Sequence, residues 1–407
     1  MYRRVNIKSL IMAKSAFVLA VSAILTANTA IAASFSARNA AMGGAGVASS
    51  SYDAAAGSNA ALLTRFDESD DVSIVLPAIG AEVSDEFDVI DTLNDISDDY
   101  DTLEQQIDAN DVTGAEATRD NILDGLEKID QQPVRTDAAA LVGFAMPDKS
   151  LAVAVEVRVR LDLFVFADYA ATDAAVINAA IIAGDSDVLD SIDSSALAFG
   201  AAISEVAVSF AHEFTLGEMP LAVGLTPKYQ KVETILYNQT VNNFDEDDFD
   251  ADEYTEDDSN LNLDIGFALS VTDSLTVGIQ LRDLIEESYD TVQVAGYTGE
   301  YTIKPMVTAG VAWNSSWVTL AFDVDLTEEQ PFDEIDGSQF ARAGAELNLR
   351  DWFQLRAGVR HDLSDTRADL LTAGIGVSPF DTLHLDLTAA AGDKDTFGAA
   401  FDIRLTF

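Results

Sequence analysis

The 407-residue chain has no cysteine, which excludes disulfide frameworks, thiol nucleophiles and thiolate metal sites. It has three histidines, His212, His361 and His384, and none of them is spaced like a metal-binding pair. His361 is followed by Asp362, but a single His-Asp dipeptide is weak evidence for catalysis. We therefore expect no enzyme activity, no metal and no cofactor.

Positive charge is also scarce. The chain carries 23 lysines and arginines against 70 acids, for a formal charge of −47. Because such a chain is repelled by phosphates, nucleic acid is not expected as a partner. The loop 241–260 holds ten of the acids. Its oxygens would suit Ca²⁺ or Mg²⁺, but the loop lacks the glycine and distal glutamate spacing of an EF-hand, so a solvated loop is the favoured interpretation.

Long apolar runs are missing after residue 33. The first 33 residues contain four cations, an apolar stretch at 16–25 and a small-residue cleavage pattern at 30–33. This arrangement predicts a secretory signal peptide over 1–33, and a retained membrane anchor is the less favoured alternative. An exported chain without a spanning helix is either soluble or a β-barrel, the other structure that satisfies its backbone in lipid.

What the chain has instead is strand-like alternation of apolar and polar residues. Short and long connections alternate between the segments, as in bacterial outer-membrane barrels, whose long loops lie outside the cell. A soluble sandwich would also alternate, so the pattern alone leaves that possibility open. The fourteen predicted strands are 72–83, 137–146, 151–166, 196–213, 221–236, 261–271, 275–284, 300–313, 317–325, 340–349, 352–361, 369–377, 382–390 and 396–407.

Aromatic residues favour the membrane. All three tryptophans lie beside short predicted turns, where an interfacial aromatic girdle is expected. The last strand resembles the closing strand of outer-membrane barrels, whose terminal Phe is recognised by the barrel-assembly machinery. The residues that carry this resemblance, and that form the expected assembly signal, are Phe401, Ile403, Leu405 and Phe407.

These features predict an all-β protein, a transmembrane antiparallel β-barrel of about 14 strands over 72–407. We expect it in the bacterial outer membrane, in contact with lipid and lipopolysaccharide and assembled by the barrel-assembly machinery.

Residues 34–71 precede the first predicted strand and are rich in alanine and glycine. Their pattern, "GGA-x-VA … D-x-x-A … N-x-A", resembles the opening of the FadL/TodX family of hydrophobic-compound transporters and of related TraF-like conjugal transfer proteins. The resemblance implies a hatch that plugs the lumen and is followed by a fourteen-stranded barrel; a flexible leader is the alternative. The residues that carry the pattern are Gly43, Gly44, Gly46, Asp53 and Asn59.

Two departures favour the TraF-like branch over a close FadL relative. Asn59-Ala60-Ala61 stands where the family has Asn-Pro-Ala, and 84–136 is a long insertion. Apolar residues spaced 4-3-4-3-4 between Val89 and Ile107 predict an amphipathic helix in this insertion, followed by a second helix ending near Ile129. These helices either cover each other over the barrel mouth or offer an apolar groove to a hydrophobic ligand.

Charged residues share the polar face of the predicted strands. Because an unpaired buried charge is costly, we expect them to form salt bridges in the lumen. The functional alternative is a cationic track for a carboxylate-bearing ligand. The predicted lumen charges are Glu156, Arg158, Arg160, Asp162, Arg282, Arg342, Arg356, Arg360 and Arg404.

The resemblance implies a passive channel or binder for hydrophobic small molecules such as long-chain fatty acids. The alternative that it also implies is a structural or assembly component of a cell-envelope or conjugative transfer complex. A hydrophilic porin is disfavoured, because the expected hatch and the dense lumen charges would block an open channel.

Overall fold

The computed structural model describes residues 35–407 except positions 68, 241–252, 334, 351, 381 and 394. The predicted signal peptide and most of the acidic loop 241–260 therefore lie outside the described residues. Fourteen strands form a closed antiparallel barrel, which confirms the predicted fold and strand number. The barrel strands are β1 (Ser73–Ser84), β2 (Pro133–Met146), β3 (Ala152–Asp168), β4 (Ser195–Leu216), β5 (Met219–Thr240), β6 (Thr255–Thr272), β7 (Leu275–Arg282), β10 (Met306–Asn314), β11 (Val318–Asp325), β12 (Phe340–Arg350), β13 (Phe353–Asp362), β14 (Leu370–Val377), β15 (Leu383–Gly392) and β16 (Thr396–Thr406).

One predicted strand, 300–313, is wrong as a single element. Its first part is β9 (Glu300–Ile303), which pairs with β8 (Glu287–Asp290) in a separate two-stranded sheet. The barrel strand begins only at Met306. Lys304 and Pro305 lie between the two parts, and a proline cannot donate the hydrogen bond that would continue the ladder.

The barrel closes where β1 pairs with β16, from Ser73 opposite Thr406 to Ser84 opposite Thr396. The register of β1 shifts between Leu76 and Ile79, around Pro77. Apart from this irregularity the pairing is continuous, so the described barrel has no free edge.

The two faces of the strands differ as the alternation predicts. On β3, Val155, Val157 and Val159 are 43%, 46% and 42% exposed, whereas Glu156 and Arg158 between them are each 3% exposed. A soluble sandwich would bury the valines and expose the charges. This inside-out arrangement is that of a barrel whose apolar outer face contacts lipid.

The segment before β1 lies inside the barrel. It forms two short helices, α1 (Ala37–Ala41) and α2 (Tyr52–Ala55), and a 3₁₀ turn at Ala60–Thr64. Ser36 caps α1 through its side chain, and the Asn59 side chain accepts a hydrogen bond from Ala61 N at 3.1 Å. Small side chains keep this segment thin enough to fit within the lumen, and we refer to residues 35–66 as the hatch.

Long connections on the opposite side from the short turns carry three further helices, α3 (Val89–Asp108), α4 (Val112–Ile129) and α5 (Asp173–Ala183), with a 3₁₀ turn at Ser186–Ser191. We call these elements the lid. Asp85 accepts hydrogen bonds from Val89 N and Ile90 N at 2.7 and 2.8 Å and so satisfies the start of α3. No helix in the described part of the chain has the length and apolarity needed to cross a membrane.

The predicted apolar stripe of α3 is buried within the lid. Leu103 and Ile107 of α3 pack with Ile122 and Ile129 of α4 and with Ile177 of α5, and all five are at most 2% exposed. This burial raises the pKa of Tyr100, which lies on the same stripe, above its ordinary value. The stripe therefore faces other helices, as the first of the two predicted arrangements requires.

A second group of residues covers the mouth beside the lid. The β8–β9 hairpin and the loop 326–339 place Tyr301 and Phe332 against inward-facing Phe164 and Phe199 of the wall. The Phe332 ring lies 5.1 Å from that of Tyr301 and 5.8 Å from that of Phe199, centroid to centroid. Aromatic packing thus closes the side of the mouth that the helices do not cover.

Candidate functional site

The hatch contacts the barrel wall through a set of inward-facing glycines. Six of them form directly opposed pairs on adjacent strands: Gly224 opposite Gly266, Gly278 opposite Gly310, and Gly344 opposite Gly358. Gly374 on β14 continues the row. We call these seven residues the glycine belt.

The belt exists because the hatch main chain leaves no room for side chains on the wall. A β-carbon added at Gly344 would lie 2.4 Å from Met42 Cβ, and one at Gly358 would lie 2.2 Å from Gly43 N. One added at Gly224 would lie 2.4 Å from Ala61 N. Glycine inside a strand often marks a close approach of another backbone, and here that backbone is the hatch.

Gly43 itself needs to be glycine on two counts. Its φ of +72° is in the left-handed region, and an added β-carbon would lie 2.3 Å from the carbonyl oxygen of Val359. The neighbouring Gly44 has a φ of +89°. The two predicted hatch glycines therefore form the bend that brings the chain against β13.

Ion pairs fix the other face of the hatch. Arg38 contacts Glu346 of β12 at 2.8 Å, and Arg404 of β16 contacts Asp53 of the hatch at 2.5 Å. Arg356 links Glu346, at 2.7 Å, to Asp386, which Arg404 also contacts. The result is a continuous chain of three arginines and their acids, with two of its members on the hatch.

The hatch backbone adds to this network. Ala37 N donates to Asp402 at 2.9 Å, and Gly46 N and Val47 N donate to Asp323 at 2.7 and 2.9 Å. Asn59, 0% exposed, donates to Val47 O at 2.7 Å. Each carboxylate therefore accepts hydrogen bonds from buried hatch N–H groups that would otherwise have no partner.

A second ionic cluster lies on β3 to β7. Lys228 contacts Asp283, Asp264 and Glu205 at 2.6, 3.0 and 3.2 Å, and Arg158 contacts Glu205 at 3.2 Å. Further along β3, Arg160 contacts Asp162 at 3.4 Å, and Tyr301 donates to Asp162 at 2.8 Å. These charges form salt bridges across neighbouring strands and tie the wall to the β8–β9 hairpin.

A cavity of about 160 Å³ lies between the hatch and the outer covers. Its apolar walls are Phe340, Met306 and Leu370. Its hatch wall includes Asn39, Gly43 and Gly44, and its charged walls are Arg282, Arg342, Arg360, Arg367, Asp323, Asp325 and Glu329.

A larger and more open space, of about 530 Å³, lies on the short-turn side of the hatch. Its lining includes Arg38, Asp53, His384, Asp386 and Arg404. The hatch and its ion pairs separate this larger space from the cavity on the mouth side.

The predicted site residues fall into distinct places in the structure. Arg356, Arg404 and Asp53 meet in the hatch network, and Arg282, Arg342 and Arg360 line the cavity. Glu156 and Arg158 belong to the second cluster. His361 lies at the mouth-side end of β13 and contacts Asp369 at 2.7 Å, away from the cavity. No group of three or more potential metal ligands is found within the described ranges.

The terminal residues lie on the outer face of the closing strand. Phe401 pairs with Ile79 of β1, which is 49% exposed, and Phe407 is 56% exposed. Phe407 N donates to Val72 O at 2.9 Å, so the terminus stays in the ladder with the start of the barrel.

Sequence reasoning missed the glycine belt, Phe340 and Arg367. The glycine belt could have been found from the sequence, because single glycines inside otherwise apolar strands are unusual. Phe340 and Arg367 had none, since their importance depends on contacts with residues far away in the sequence.

Comparison with known proteins finds a matching family and solved structures of the same fold. A protein family described as F plasmid transfer operon, TraF, protein matches residues 56–325. The crystal structure of the Ralstonia pickettii toluene transporter TbuX superposes with a TM-score of 0.51 at 9% identity, covering 91% of this chain and 98% of that one. The Pseudomonas putida toluene transporter TodX gives 0.51 at 10% identity, covering 91% and 96%.

The CymD monoaromatic hydrocarbon channel gives a TM-score of 0.53 at 13% identity, covering 91% of this chain and 97% of that one. Similarity at this level of identity shows the fold alone. A search of curated proteins finds no match.

Proposed function

The chain belongs to the family of the F plasmid transfer operon TraF protein, and from this premise and the plugged barrel we propose that it is a bacterial outer-membrane channel or binder for hydrophobic small molecules. The proposed transport is passive, with the ligand moving down its concentration gradient. Long-chain fatty acids and single-ring hydrocarbons are the ligand classes that the proposal covers. The outer lipid, lipopolysaccharide and the barrel-assembly machinery are its proposed partners.

The observation that carries the proposal is the partly open, partly apolar cavity above the hatch. A general porin needs a continuous water-filled lumen, whereas the hatch here occupies the lumen and contacts the wall at the glycine belt. Phe340, Met306 and Leu370 give the cavity a surface that a small apolar molecule can bind. Solved barrels of the same fold are described as transporters or channels of toluene and other monoaromatic hydrocarbons, which supports this reading.

Uptake into liposomes tests the proposal. The purified protein is reconstituted, and entry of toluene, a labelled long-chain fatty acid and glucose is compared with entry into protein-free liposomes. We expect faster entry of at least one hydrophobic probe and no change for glucose. Entry of glucose alone would indicate a porin, and unchanged entry of all three probes would reject the transport proposal.

A structural role in a cell-envelope or conjugative complex is the second candidate. It is favoured by the family membership together with the closure of the lumen by hatch, lid and aromatic cover. Native electrophoresis of gently solubilised membranes separates the two roles. Migration in a stable assembly larger than the detergent-bound barrel would favour the structural role, and migration as the single barrel would count against it.

A further inference from the structure

The cavity above the hatch combines apolar walls with an unusual density of guanidinium groups. We infer that it binds a single-ring aromatic acid, a planar monoanion of about the size of benzoate with a hydroxyl or amino substituent. The inference rests on the proposed function and narrows its ligand class.

The size of the cavity fits one ring. Its volume is about 160 Å³, close to the roughly 150 Å³ of an engineered protein cavity that binds benzene. A long alkyl chain would have to project out of this space. The cavity is bounded below by the hatch, whose position is fixed by the glycine belt, so it cannot lengthen in that direction without unseating the hatch.

Phe340 positions the arginines of the lining. It is 4% exposed, and the guanidinium carbons of Arg360, Arg342 and Arg367 lie 4.6, 5.1 and 5.7 Å from its ring centroid. Guanidinium planes stack on aromatic rings, so Phe340 holds these groups at the cavity, where they can also pack against the ring of a bound ligand.

The lining gathers guanidinium groups in an otherwise acidic chain. Four arginines and three acids line the cavity. Three of the arginines also contact acids outside the lining: Arg360 and Arg367 share Glu82 of β1 at 2.5 and 2.8 Å, Arg367 contacts Asp137 at 2.5 Å, and Arg282 contacts Asp283 at 3.3 Å. A ligand carboxylate would therefore share these guanidinium groups with the acids of the wall.

Four buried atoms of the lining lack hydrogen-bond partners among the described residues: Nε of Arg282 and of Arg360, and Oδ1 of Asn39 and of Asp323. Arg360 is 7% exposed and Asn39 is 3% exposed. Leaving such groups unsatisfied is unfavourable. A carboxylate oxygen would accept from Nε of Arg360, and a hydroxyl or amino hydrogen on the ring would satisfy Oδ1 of Asn39.

Calorimetry on the full-length protein in lipid nanodiscs tests the inference, with 4-hydroxybenzoate, benzoate and toluene as probes. We expect 4-hydroxybenzoate to bind most tightly and toluene least. Arg360→Gln should weaken binding of the two acids by about tenfold or more, the size of one lost charged hydrogen bond. Glu82 would still contact Arg367 at 2.8 Å, so the barrel should remain folded.

Arg65→Gln is the matched control. Arg65 is also a hatch-side arginine, but it contacts Ser270 and Thr276 near the short turns and does not line the cavity. Its substitution should leave binding unchanged. Arg360→Lys, which keeps the charge but loses the planar group, should weaken binding less than Arg360→Gln. Heat-shift electrophoresis verifies the fold of each variant.

Toluene binding as tight as the acids, acid binding insensitive to Arg360→Gln, or no binding of any probe would overturn the inference. If one of these results is found but toluene or fatty acid still enters liposomes, the inference fails and the proposed function stands. If neither probe enters liposomes, the proposed function fails as well.

Discussion

The barrel is closed twice, by the hatch within the lumen and by the lid over the mouth, and the two closures use different interactions. The hatch is held by backbone contact with glycines, by buried ion pairs and by carboxylates that accept its amides. The lid is held by leucine and isoleucine side chains packed between helices. Directional contacts fix one position, whereas apolar packing tolerates many, so we expect the hatch to be strictly specified and the lid to be replaceable.

The hatch does have an apolar end, and the exception is informative. Leu62 and Leu63 pack against alanines of the wall, including Ala211, Ala222 and Ala268. The same two wall strands carry Gly224 and Gly266 where the backbone of Ala60 and Ala61 approaches, and Ala222 and Ala268 beside the leucine side chains. Wall residue size therefore follows how closely the hatch approaches.

The largest expected effect is a rise in ion conductance when the hatch is removed, compared with removal of the lid. Deleting residues 36–60 should raise the ion conductance of the barrel in planar bilayers by about tenfold or more, because a barrel of this width without its plug leaves a water-filled channel. Replacing 88–130 with a short glycine-serine loop should change conductance little, since the hatch remains. Equal conductance of the two variants would mean that the hatch does not close the lumen.

A smaller effect is expected within the lid. Leu103→Ala should destabilise the lid by about 2–5 kcal/mol, because the side chain is fully buried and its removal leaves a cavity. Hydrogen exchange should become faster in α3 and α4 while the barrel strands stay protected. Val112→Ala, at a residue that is 50% exposed, is the control and should change neither. Faster exchange throughout the barrel after Leu103→Ala would show that lid and barrel are not separable.

The smallest of the three effects is expected for a substitution in the glycine belt, and it should lower the stability of the whole barrel. Gly344→Ala should cost about 1–3 kcal/mol, because the added methyl meets Met42 and neither backbone can move aside freely. The urea midpoint of unfolding measures this cost. Gly143→Ala is the matched control, since the atom nearest to its added methyl, Cγ of Glu156, would lie at 3.1 Å instead of the 2.4 Å to Met42 Cβ. Similar midpoints for the two variants would indicate that the hatch is loosely seated.

The sequence predicted the barrel well because strand alternation is a local property. Every barrel strand, from β1 to β16, overlaps a predicted segment, and the apolar and charged faces of β3 are those expected. The one error, at 300–313, came from treating two short runs separated by Pro305 as continuous.

The contacts that organise the lumen could not be derived in the same way. Arg38 and Glu346 are 308 residues apart, and Arg404 and Asp53 are 351 apart, so no spacing rule connects them. The pairing depends on the register of β12 and β16 and on the path of the hatch. Only the resemblance of the hatch motif to a known family indicated that residues near Gly43 would enter the barrel at all.

The glycine belt also constrains the order of events during assembly. A hatch that packs this closely against seven wall positions without side chains would be hard to thread into a barrel that has already closed. The strand that completes the cylinder, β16, contacts the hatch through Asp402 and Arg404 as well as pairing with β1. We therefore expect the wall to close around a hatch that is already in place, which would make the hatch a template for the last strand.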